Sequence, residues 1–198
     1  KFRQRAQKAR LLPLCYRPPA ARTGPKYPFR LNTGRLRDQW HTMTRTGLSP
    51  RLGAHMPEPF LELHPEDAAT IGIVPADLVE VRSPNGSAIL RARIGDAVQP
   101  GQVFAPIHWT GETAPSGRID DLVAAETDPV SGQPESKASV VAVQKMEAAW
   151  YGFAVSTRPM APHAHHWAPA PTPGGYRAAL AGHAPPPARE WDAPRPLA

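Results

Sequence analysis

Apolar and polar positions alternate in short runs along the middle of the chain, the period of strands with one buried face. Phe29-Arg30-Leu31-Asn32 and Phe60-Leu61-Glu62-Leu63 are two such runs. Leu78 to Arg82 and Ala88 to Ile94 are two more, joined by Pro84-Asn85-Gly86-Ser87, where Asn-Gly predicts a type I′ hairpin turn. Pro100-Gly101 marks another turn, before the apolar run Val103 to Ile107, and Ser139 to Lys145 is a sixth strand. His64 to Gly72 predicts one short helix, with proline in its first turn, acids beside it and glycine at its end. A second short helix is expected over Phe2 to Leu12. Six short strands with short helices predict a mainly β fold, a small closed barrel.

Composition changes the picture at the ends. Proline accounts for 26 of 198 residues, which excludes an all-helical bundle. Residues 1–26 read as a lead-in linker, residues 27–155 as the barrel domain, and residues 156–198 as a Pro/Ala-rich C-terminal tail. Ten prolines after residue 158 and few β-branched residues make that tail a surface-wrapping or poorly ordered segment, pinned in places by Trp167, Tyr176, Leu180 and Trp191. The chain begins at Lys1, which reads as a piece of a longer chain.

Charge is uneven. Residues 1–51 hold 13 Lys and Arg against one acid, Asp38, whereas residues 52–147 hold 14 acids against six bases. The first part therefore suits an anionic partner. No apolar run approaches the length of a membrane helix, and the apolar stretch Leu11 to Leu14 is too short for a signal peptide, so the expected compartment is the cytoplasm. The single cysteine, Cys15, excludes a disulfide framework or iron–sulfur site within this chain and reads as a free, partly buried thiol.

The candidate chemistry lies between Leu31 and Arg51. Thr33-Gly34 ends a strand, and glycine there lets backbone approach a ligand closely. Arg35, Arg37, Arg45 and Arg51 alternate with Thr33, Thr42, Thr44 and Thr46, and guanidinium forks with hydroxyls are groups that bind phosphate oxygens. Asp38 and Gln39 suit the edge of a heterocycle, and Trp40 and His41 suit stacking on its face. These residues describe a pocket for a ligand with phosphates and a heterocycle, or else an exposed basic loop.

Four blocks in order, TGRLRDQWHTMTRTG, PEPFLELHPEDA, GQVFAPIHW and DPVSGQPESK, resemble the C-terminal molybdopterin-dinucleotide-binding domain of bacterial assimilatory nitrate reductases over about residues 14–155. The resemblance implies a six-stranded double-psi β-barrel that caps a bis-molybdopterin guanine dinucleotide holding molybdenum. The loop residues Thr33, Gly34, Arg35, Asp38, Gln39, Trp40, His41, Thr42, Thr44 and Arg45 match its cofactor-binding stretch. The block Asp128 to Lys137 matches a second cofactor-binding stretch, in which Lys137 matches a lysine that contacts the cofactor, and His108 and Trp109 match positions lining the substrate funnel or the pterin edge. Asp120 stands where the family usually has asparagine, which leaves acceptors but no donor. The resemblance also implies upstream domains of the same polypeptide carrying the metal ligand and a 4Fe-4S cluster. It further implies an electron donor such as ferredoxin, flavodoxin or an NADH-dependent reductase subunit, with no nucleic-acid or membrane partner. The fragment alone would not reduce nitrate.

Other residues carry blander expectations. His163, His165 and His166 read as incidental surface histidines, and His55 and His64 as cap or turn residues. Asp120 and Asp121, adjacent on a strand, would face opposite ways and make no acid–base pair. Two readings compete with a nitrate reductase domain: the same domain of a formate dehydrogenase or another superfamily member, and a nucleic-acid-binding barrel suggested by the basic first 51 residues.

Overall fold

The computed structural model describes residues 11, 13, 15–160 and 165–183. The helix expected over Phe2 to Leu12 lies almost wholly outside them, as do His163 and Trp191. Six strands close into a barrel: β1 (Phe29–Gly34), β2 (Phe60–Leu63), β3 (Leu78–Arg82), β4 (Ser87–Ile94), β5 (Gln102–Pro106) and β6 (Ser139–Lys145). Their order around the barrel is β1-β5-β2-β4-β3-β6. Two pairs run parallel, β1 with β5 and β2 with β4, and the other four run antiparallel. Parallel pairs need crossovers rather than hairpins, and the candidate site is built on the loops that follow β1 and β5.

Alternation fills the barrel. Phe29 and Leu31 of β1 point inward, and so do Leu61 and Leu63, Val79 and Val81, Leu90 and Ala92, and Val103 and Ala105. The next inward slot of β1 is polar: Thr33 is buried at the barrel's end. Leu78 points outward, yet it too is buried, because Met146 and Ala181 cover it.

The short helix α1 spans Pro50–Gly53 and α2 spans Pro65–Thr70. The His64 side chain caps α2 by accepting from the Glu66 amide, as a cap residue should. The β3–β4 hairpin departs from expectation. Neither Asn85 nor Gly86 has positive φ, so the turn is not type I′. The Ser83 hydroxyl accepts from the Asn85 and Gly86 amides instead. Gly86 is needed for space: a Cβ there would lie 2.6 Å from the Asp121 carbonyl oxygen. Cys15 is exposed rather than partly buried.

The segment after the barrel is also ordered into strands. β7 (Trp150–Ser156), β8 (His166–Thr172) and β9 (Gly175–Gly182) form an antiparallel sheet in the order β7-β9-β8. Proline masked β8 in the sequence. Pro169 and Pro171 sit at alternate positions of an edge strand, where the missing N–H groups face away from β9. His166 is fully buried, not an incidental surface histidine. Its Nε2 lies 3.1 Å from Glu58 Oε2, and Arg91 of β4 holds both oxygens of the same carboxylate. Ala168 joins Met43, Trp109 and Ala114 in a second apolar cluster, so the small sheet braces the loop that follows β1.

Candidate functional site

Thr33 donates its hydroxyl to the Ser136 carbonyl at 2.7 Å, which ties the end of β1 to the segment before β6. Lys137 donates to the Thr33 carbonyl from the same side. That segment is shaped by its own turn. Asp128 accepts from the Ser131 amide and hydroxyl and from the Val130 amide, and these bonds hold its carboxyl below the usual range. Gly132 follows with φ +69°, a value that favours glycine.

The chain after β1 runs through residues 35–45 as an irregular loop. His41 and Met43 both take positive φ, 45° and 60°. Met43 is buried beside Trp109, which anchors the loop from beneath. Gln39 is buried as well and accepts from the Thr46 hydroxyl at 2.7 Å. His108, at the end of the β5 extension, is fully buried. Its Nε2 accepts from the Leu36 amide at 2.7 Å, and its Nδ1 lies 2.6 Å from the His41 carbonyl. Burial and the nearby Arg35 lower its pKa against the opposing bond to His41.

Between this loop, the 3₁₀ turn Ile119–Leu122 and the segment before β6 lies a cavity of about 510 Å³. Thr33, His41, Thr42, Asp120 and Ser136 contribute polar groups to its wall. Ile107, Val123, Ala124 and Pro134 contribute apolar surface. An apolar wall with a few convergent polar groups suits a flat heterocycle that carries N–H and carbonyl groups. A cavity of about 540 Å³ on the small sheet, lined by Trp167, Tyr176 and several prolines, shares no residue with the loop after β1.

The structure brings four of the sequence-predicted residues, Thr33, His41, Thr42 and Asp120, to one cavity. Others sit elsewhere. Gly34 packs against Phe104, whose ring carbon would lie 2.8 Å from an added Cβ. Arg35 stacks over the exposed Trp40 ring at 4.9 Å. Asp38 is bound by Arg37 and by His55 at 2.7 Å, and Arg37 first, then His55, hold its carboxyl below the usual range. Thr44 and Arg45 are exposed. His108 and Trp109 are enclosed by this chain and do not line the cavity, and Gln39 turns inward. Asp120 and Asp121 lie on a 3₁₀ turn rather than a strand, and Asp121 pairs with Arg118. Sequence reasoning missed Ile107, Val123 and Ala124, whereas Pro134 and Ser136 stand in the DPVSGQPESK block that matches a cofactor-binding stretch. No group of three or more His, Cys, Asp or Glu suited to a metal exists among the described residues.

Residues 29–140 match the family described as "Molydopterin dinucleotide binding domain". The chain belongs to this family. As a molybdopterin-dinucleotide-binding domain it is similar to a nitrate reductase of Klebsiella oxytoca, 44% identical over 176 residues, which are 88% of this chain and 20% of that protein. It is also similar to the assimilatory nitrate reductase catalytic subunit of Bacillus subtilis, 34% identical over 69% of this chain and 19% of that protein. An F420-dependent formate dehydrogenase alpha subunit of Methanocaldococcus jannaschii is 33% identical over 70% of this chain and 20% of that protein. The chain thus spans about a fifth of the length of these curated relatives. Acetylene hydratase from Pelobacter acetylenicus shares the fold, with TM-score 0.52 and 20% identity over 61% of this chain and 18% of that one.

Proposed function

We propose that this domain closes over a molybdopterin guanine dinucleotide in a larger molybdenum enzyme that reduces nitrate to nitrite. The observation that carries the cofactor reading is the cavity: the segments that bear its polar groups, residues 33–42, Asp120 and residues 134–136, are far apart in sequence and face one space. Its donor set fits the group. Thr42 offers a hydroxyl that donates or accepts, Asp120 accepts from ring N–H groups, and the apolar wall excludes water from a ring face. Exposed Arg35 and Arg45 flank the loop and offer charge to phosphates. Asp120 in place of asparagine confines that position to donors on the cofactor.

The chain's own part is binding and orientation. Bound here, the cofactor supplies two-electron redox chemistry, and the proposed net reaction takes nitrate, two electrons and two protons to nitrite and water. Substrate, metal ligand, iron–sulfur cluster and electron donor belong, in this proposal, to the rest of a cytoplasmic polypeptide and its redox partners. Nitrate is favoured by the 44% identity to the Klebsiella protein over most of the chain. The formate dehydrogenase relatives support a second reading in which the same domain serves another substrate. Turnover of the purified parent protein separates the two. Nitrite formation with a reduced dye is expected, and formate oxidation without nitrite formation would replace nitrate in this account.

A further inference from the structure

The loop that carries His41 and Thr42 to the cavity has little regular structure of its own. Two of its residues, His41 and Met43, hold a left-handed backbone that residues other than glycine rarely adopt. Beneath it lies one fully buried imidazole. The Leu36 amide can only donate, so His108 Nε2 accepts from it; the His41 carbonyl can only accept, so Nδ1 carries the proton and donates. One ring therefore binds both ends of residues 36–41 in a single tautomer. β5 sets the ring in place: the Ile107 amide donates to the Gly34 carbonyl, extending the β1–β5 pairing to the residue before His108.

We propose that His108 is a positioning residue for the cofactor-binding loop, which it holds through Leu36 and His41 so that His41 and Thr42 line the cavity. This rests on the cofactor reading for its consequence, but the loop geometry stands without it. A protonated ring would carry N–H groups on both nitrogens and would set Nε2–H against the Leu36 N–H, so the clamp requires the neutral form. Burial favours that form most, and the charges of Arg35 and His41 add to it, against the hydrogen bond to the His41 carbonyl, which favours the protonated ring.

The test is hydrogen exchange over residues 35–44 in the full parent protein, expressed relative to the intrinsic rate at each pH, with bound nucleotide measured on the same samples. His108→Leu fills the space without either hydrogen bond. It is expected to exchange about tenfold faster or more in this loop, as for one lost buried hydrogen bond, and to retain less nucleotide. His108→Gln offers one acceptor and one donor and does not titrate. It is expected to keep the wild-type protection at neutral pH and, unlike wild type, to keep it as the pH falls below the ordinary histidine range. Unchanged exchange in His108→Leu, or a Gln variant as loose as the Leu variant, would overturn the proposal. If His108→Leu fails to fold, the pH comparison decides: wild-type protection as insensitive to acid as that of the Gln variant overturns it. A wild-type parent that binds no nucleotide would sink the cofactor reading alone, since the exchange result does not depend on it.

Discussion

Glu58 joins the barrel to the small sheet through one carboxylate. Burial alone would raise its pKa, but hydrogen bonds from His166 and Arg91 outweigh that and hold it below the usual range. A depressed carboxylate stabilises the fold above its unfolded value, and that contribution is lost as the pH falls through the folded value. Glu58→Gln is therefore expected to cost about 1–3 kcal/mol at neutral pH and to flatten the acid limb of the stability curve, read by chemical denaturation from neutral pH downward. Thr33→Val keeps the shape and removes the donor to Ser136; about 1 kcal/mol should be lost, with faster proteolysis within residues 128–136. At this scale the sequence was only half legible. The residue types in the TGRLRDQWHTMTRTG block single out the loop that walls the 510 Å³ cavity, and His64 reads correctly as a cap. Which side chains face the cavity was not readable, because the loop is irregular: His41 and Met43 take positive φ, and Gln39 is buried.

The strands of the barrel follow from period-two patterning, and all six expected strands are present within a residue or two. The hairpin at Asn-Gly is present but not its type I′ geometry: the Ser83 hydroxyl satisfies the turn amides, and Gly86 leaves room for the Asp121 carbonyl, which an added Cβ would meet. Gly86→Ala is expected to force that contact apart, at a cost of about 1–3 kcal/mol. The displaced partner is the 3₁₀ turn bearing Asp120, so cofactor retention should fall with stability in the parent protein. β8 was hidden for a different reason: two prolines read as a break wherever a strand is central, and only the edge position makes them acceptable.

At the scale of the whole molecule, the small sheet is a brace for the site. Ala168 packs with Met43 and Trp109 behind the loop that follows β1, although no residue of β8 lines the 510 Å³ cavity. Ala168→Glu would bury a carboxylate in that cluster at about 2 kcal/mol or more. Bound nucleotide should drop while every cavity residue stays intact, and undiminished nucleotide content would argue against the brace. The central claim is that this chain binds a molybdopterin guanine dinucleotide, and the direct measurement is molybdenum and acid-released nucleotide in the purified, fully matured parent protein. The account predicts molybdenum with about two guanine nucleotides per metal atom, falling sharply in an Asp120→Lys variant, which replaces the acceptor with a charged donor where ring N–H donors would sit. Matured protein with neither molybdenum nor guanine nucleotide would contradict it.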